Sequence, residues 1–170
     1  MYQIGDMVVY GGSGVCQVTA VGPLACQPGS RRPYYTLRPL HGTEIIYAPV
    51  DCKVSIRPML TAEEAELLIR QLPAVPAENL EGSSNVQLLS RRYQDAFRSN
   101  SCLDLIKLLK TIHQKDSAAR REGKRPGKVE EHFRKRAEEL LYGEFSAALH
   151  IPMDEVPSYI HRRLNSQSPT

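Results

Sequence analysis

The chain lacks any run approaching the roughly eighteen apolar residues of a membrane-spanning helix, which excludes a helical membrane protein. Asp6 and the glycines after it interrupt the apolar stretch a secretory signal would need, so a cytoplasmic protein is expected. No CxxC pair occurs, and no histidine lies at zinc-finger spacing from a cysteine. Cys16, Cys26, Cys52 and Cys102 therefore read as free thiols of a reducing compartment. Cys16 and Cys52 stand in strand-like contexts, where cysteine serves as a small buried hydrophobe. A zinc site from Cys16, Cys26, His41 and Cys52 has only weak support from spacing, so neither a metal nor another cofactor is expected.

Catalytic signatures are missing as well. There is no GxxxxGKS/T loop, no GxGxxG and no HExxH. Gly11-Gly12-Ser13-Gly14 is glycine-rich but joins strand to strand, whereas a phosphate-cradling loop opens a helix. His41, His113, His132, His150 and His161 are scattered, and none stands beside a nucleophile. No catalytic residue, enzymatic activity or small-molecule substrate is expected.

What the chain does have is an opening of strands. An apolar residue leads into Gly5-Asp6, then Met7-Val8-Val9-Tyr10, the glycine-rich turn, and a second strand from Val15. Asp6 can cap a turn, and glycines take positive φ without steric cost. Strands are predicted over 7–10, 14–21, 33–40, 43–49 and 53–57, with an exposed loop from Pro23 to Pro33. The pattern resembles a small Tudor/SH3-like β-barrel. Pro49 cannot donate to a ladder, which places strand 43–49 near a sheet edge, available for pairing with another protein.

After residue 58 the period changes to that of helices. Thr61-Ala62-Glu63-Glu64 forms a capping box for a helix running to about Leu72, ended by Pro73 and Pro76. A polar linker covers 77–84. A second helix starts near Asn85 and runs to about Asn100, with Val86, Leu89, Tyr93 and Phe97 as its stripe. Ser101 and Asp104 cap a third, whose residues from Lys115 to Arg125 are charged. A fourth spans 129–149 with Phe133, Ala137, Leu140, Leu141 and Phe145 inward. A short last helix runs from Pro152 to Leu164, with Pro157 in its first turn and fraying expected from Asn165 to Thr170. The fold expected is α+β: a β-barrel over 1–58, an all-α domain of four to five helices over 59–165, and a disordered tail over 166–170. Of the 170 residues, 41 % are apolar, enough for a core.

The net charge of +3 hides an asymmetry. Residues 91–136 hold fourteen Lys/Arg against six Asp/Glu, a net +8, whereas 61–90 is −4 and 137–170 is −3. Such a block predicts an anionic partner. Lysine and arginine on phosphates supply affinity without reading sequence. Arg91, Arg92, Lys124, Arg125 and Lys128 are the candidates for such nucleic-acid phosphate contacts. Ser90 and the N–H groups at the start of the second helix add to them.

YQIGDMVVYGGSGVCQV, YYTLRPL, IIYAPVD and LLSRRYQDAF, in that order, resemble the CarD/CdnL-like bacterial transcription regulators over about residues 1–150. The first segment also resembles the polymerase-interacting module of transcription-repair coupling factors, but the helicase motifs of those long chains are absent. The resemblance implies that the N-terminal module docks on the β subunit of bacterial RNA polymerase by sheet-edge pairing. It implies that the helical domain meets promoter DNA at the upstream edge of the melted bubble and modulates open-complex stability. Many members carry a tryptophan wedge just before Ser-Arg-Arg-Tyr. This chain has no tryptophan, and Leu89 takes that place, either as an apolar wedge between base steps or as a core residue. Gln94 stands where the family is often basic. Ile45, Ile46, Tyr47, Ala48 and Pro49 are the expected docking edge. Leu24 and Tyr47 replace arginines of some relatives, so the docking surface is either more apolar or uses Arg31, Arg32 or Arg38. The alternative is a protein-interaction adaptor that does not bind DNA, using the barrel to hold RNA polymerase or another partner.

Overall fold

A computed structural model describes residues 2–24, 27, 29, 31–51, 53–77, 86–125 and 127–167. Cys26, Cys52, most of the expected linker and Asn85 lie outside these residues. The chain divides into two compact units, Met1–Met59 and Leu60–Thr170.

The first unit is a five-stranded antiparallel sheet. β1 (Met7–Tyr10) and β2 (Gly14–Gly22) form the opening hairpin, with Val8 opposite Cys16 and Tyr10 opposite Gly14. Gly12 and Gly14 hold φ of 85° and 80°, the left-handed region that glycine enters without Cβ strain. Asp6 accepts from the Gln3 N–H at 2.8 Å, closing the turn that leads into β1. β3 (Tyr34–Pro39) pairs with β2, β4 (Ile46–Pro49) pairs with β3, and β5 (Ile56–Pro58) returns to β1. The strand order is therefore β4-β3-β2-β1-β5. A register shift between Val18 and Ala20 breaks the β2–β3 ladder, as a bulge that bends a strand does. Period-two alternation puts Val8, Cys16, Val18, Tyr35, Leu37 and Ala48 on one face as the core. Full burial of each large aliphatic side chain contributes roughly 1.5–3 kcal/mol. With the helices that follow, this sheet makes the chain α+β, as expected.

The second unit is helical. α1 (Ala62–Gln71) starts at Thr61, whose hydroxyl accepts from the Glu64 N–H at 3.1 Å, and it tightens into a 3₁₀ turn over Leu72–Ala74. α2 (Val86–Arg98), α3 (Cys102–Arg121), α4 (Lys128–Leu149) and α5 (Val156–Gln167) follow. α3 and α4 run antiparallel. Cys102 meets Glu144 at 3.1 Å at one end, and Lys115 meets Glu130 at 2.7 Å at the other. Glu144 is buried and also accepts from the Leu60 N–H at 2.9 Å. Phe133 of α4 packs on Tyr93 and Phe97 of α2, with ring centroids 5.2 and 5.9 Å apart. These residues share one core with Ala65 and Ile69 of α1 and Val156 of α5.

Several expected details change, the last strand among them, which is Ile56–Pro58 rather than 53–57. β4 begins at Ile46 rather than Thr43, because continuing the ladder would set Pro39, which has no N–H, opposite Glu44. Ser101 stands at the N-cap of α3, but its side chain makes no capping hydrogen bond. α5 continues through Asn165 and Ser166 rather than fraying there. Asn165 Nδ2 lies 3.1 Å from His161 Nε2, and Ser166 Oγ donates to Arg163 O at 2.8 Å, so side chains hold the last turn.

Candidate functional site

In the helical unit, Ser90, Arg91 and Arg92 sit on the first turns of α2, with both arginines exposed. Leu89 does not reach the surface as a wedge would: it is 4 % exposed. It lies one turn before Tyr93 on the inward stripe, and the packing that holds Tyr93 and Phe133 also encloses it. Its neighbour Leu88 is exposed, at 41 %.

Leu89 lines a cleft of about 430 Å³, whose other walls include Lys115 and Asp116 of α3, Lys124, Arg125, Gly127, and Lys128 and Glu130 of α4. The fold thus gathers four candidate DNA-contacting residues, Leu89, Lys124, Arg125 and Lys128, at one opening. Arg92 lines a separate cleft of about 380 Å³ with Asp95, Asp104 and Lys107.

The charges within the cleft are unequal in role. Glu130 is buried, accepting from Lys115 Nζ at 2.7 Å and from the Tyr93 hydroxyl at 3.4 Å. Burial alone would raise its carboxyl pKa. The hydrogen bond from Lys115, its own backbone N–H, the Lys115 charge and the Tyr93 hydroxyl outweigh that and hold the carboxyl below its ordinary range. Lys115 is thereby committed to Glu130. Lys124 meets Glu122 at 3.3 Å with both side chains largely in water, a pairing worth at most about 1 kcal/mol and easily exchanged for a phosphate. Arg125 and Lys128 are exposed.

The +8 block accordingly divides into two kinds of cation. Lys110 reaches from α3 to the end of the α1 turn and donates to Leu72 O and, at 2.6 Å, to Val75 O. Arg136 lies over the Phe97 ring at 5.4 Å. Arg134 and Lys135 sit 3.9 and 3.5 Å from Glu138 and Glu131, one helical turn away. Lys110 and Lys115 are structural, and sequence reading missed this. Their partners lie 35 or more and 15 residues away in the chain, beyond any periodicity. Glu130 and Gly127 were missed for the same reason.

In the β unit, β4 lies at one edge of the sheet and, among the described residues, pairs only with β3. Ile45, just before β4, is 59 % exposed, and Tyr47 is 52 % exposed. Ile46 turns partly inward, and Ala48 is in the core, so Ala48 offers a partner its backbone alone. Thr36 lies opposite Tyr47, and Arg38, two residues on, shares its outward face. Arg32 holds Asp51 at 3.1 Å and stacks over Tyr34 at 5.8 Å. Leu24 and Pro49 are half-buried.

Among the described residues no three His, Cys, Asp or Glu side chains converge, and two of the four zinc candidates, Cys26 and Cys52, lie outside those residues. Cys16 is buried, and burial, helped by the charge of Glu44, pushes its thiol up to about 11. No helix among the described residues is long and apolar enough to cross a membrane.

Residues 2–60 match the model of the CarD-like/TRCF RID domain, a family of RNA-polymerase-interacting modules that bind the polymerase β subunit. No curated protein matches the chain.

Proposed function

We propose that this chain, whose residues 2–60 form a CarD-like/TRCF RID module, is a non-enzymatic cytoplasmic regulator of bacterial transcription. In this reading the β4 edge pairs with the RNA polymerase β subunit, and the cleft of the helical unit meets promoter DNA at the upstream edge of the bubble. The polymerase-interacting, transcription-related role rests on the family match. The observation that carries the DNA half is the convergence of Lys124, Arg125 and Lys128 beside α2.

The mechanism follows from simple physics. Strand addition supplies main-chain hydrogen bonds at β4, while Ile45, Tyr47 and Arg38 offer side chains for selectivity, flanked by Leu24, Ile46 and Pro49. Docking raises the local concentration of the helical unit at the promoter, so a few phosphate contacts suffice. Arg91 and Arg92 on α2, with Ser90, add to those of the cleft. In this reading the contacts bind the melted promoter more tightly than the closed one and so shift the population toward the open complex by the difference in binding free energy. A promoter that loses its bubble readily is helped, and one that already escapes slowly is hindered. The adaptor reading keeps one supporting observation, the burial of Leu89, which removes the apolar wedge from this position.

The test is the lifetime of open promoter complexes of the cognate polymerase with and without the protein. A longer lifetime, abolished in Lys124→Ala/Arg125→Ala/Lys128→Ala while polymerase binding persists, supports the regulator. An unchanged lifetime with the protein bound supports the adaptor.

A further inference from the structure

Three segments distant in sequence wall the cationic cleft: α2 through Leu89, the end of α3 through Lys115, and the entry to α4 through Gly127 and Lys128. One buried side chain meets all three. Glu130 takes hydrogen bonds from Tyr93 of α2 and Lys115 of α3, and its carboxylate lies against the α-carbon of Gly127. A Cβ at residue 127 would fall 3.1 Å from Glu130 Cδ and closer still to its Oε2. Gly127 has φ −66° and ψ 145°, a conformation open to every residue, so glycine is needed there for space rather than for backbone freedom. Tyr93 and Lys115 both hold Oε1, so turning Oε2 away from a Cβ would disturb those bonds. Buried ion pairs return little net stability against their desolvation, and fixing one arrangement is the best-attested gain from keeping one.

Resting on the reading that this cleft meets DNA, we infer that Glu130 is a positioning residue: seated on Gly127, it fixes the entry to α4 so that Lys124, Arg125 and Lys128 face one phosphate track. It need not touch DNA itself. Its action lies in where the loop's cations stand relative to α2.

The test measures open-complex lifetime against salt, with and without the protein, and takes the difference between the two slopes as the number of phosphates the protein itself neutralises. Each phosphate no longer neutralised lowers that difference by about 0.9. Lys124→Ala/Arg125→Ala should lower it by about 2. Gly127→Ala and Glu130→Gln should each lower it by about 1 or more, although they remove no exposed cation, with cooperative melting and polymerase binding retained. If the cation pair has no effect, the DNA reading falls and this inference with it. If the cation pair acts but Gly127→Ala and Glu130→Gln keep the wild-type slope, the inference alone is overturned. Should Gly127→Ala fail to fold, Glu130→Gln carries the same two outcomes.

Discussion

Lys110→Met separates the two kinds of cation in the basic block. Lys110 is one of the fourteen cations in residues 91–136, yet its ammonium is spent on Leu72 O and Val75 O at the end of α1. Hydrogen bonds involving a charged group contribute about 1.5–3 kcal/mol. A cation at a helix C-terminus adds about 0.3–1 kcal/mol. Lys110 is only half-buried, so water takes over part of the role when the ammonium is removed, and methionine keeps the packing of the stem. The expected destabilisation is about 1.5–2 kcal/mol, read as a lower urea midpoint at constant m-value. In a domain of about a hundred residues that corresponds to a melting temperature lower by roughly 5–15 °C. The salt slope of the open-complex lifetime should not change, because this ammonium faces the protein and neutralises no phosphate. Unchanged stability together with a slope lower by about 1 would refute the reasoning and put Lys110 on DNA.

Other expectations follow from burial. Leu89→Ala should cost the helical unit about 2–4 kcal/mol through the cavity it leaves, while Leu88→Ala should leave melting nearly unchanged; urea titration of both checks this. Tyr47→Asp should weaken capture of RNA polymerase with little effect on melting, whereas Ala48→Asp should unfold the β unit by placing a carboxylate in its core; pull-down and melting together separate the two. Cys16, with its thiol near 11, should resist iodoacetamide at pH 8, where only about one molecule in a thousand carries the thiolate, and react fully in denaturant; peptide mass mapping reads this, and rapid native labelling at Cys16 contradicts it.

The strands were legible because their signals are local. Gly12 and Gly14 adopt the positive φ that the glycine-rich turn implied, and alternation along β3 and β4 sets Tyr35, Leu37 and Ala48 inward. Membership of a docking segment, however, does not say which way a side chain points, so Ala48 was expected on the docking edge and proves to be core. The helical stripes of α2 and α4 were equally legible, and Leu89 belongs to one of them. The cleft was half-legible. Lys124, Arg125 and Lys128 are neighbours in sequence, but their meeting with Leu89 depends on the return of α4 along α3, which no spacing encodes. Charge counts treat every cation alike. Only tertiary structure shows that Lys110 and Lys115 serve backbone carbonyls and a buried carboxylate.

The most direct test of the central claim places a photo-crosslinking residue at Arg91 of α2 or at Lys128 of the cleft, both exposed. The labelled protein is then irradiated in open complexes with the cognate RNA polymerase on promoter DNA. The account predicts crosslinks to DNA at the upstream edge of the bubble from both positions, dependent on polymerase and abolished when the β4 edge carries Tyr47→Asp. Crosslinks to polymerase subunits alone, with none to DNA from either position, would contradict it.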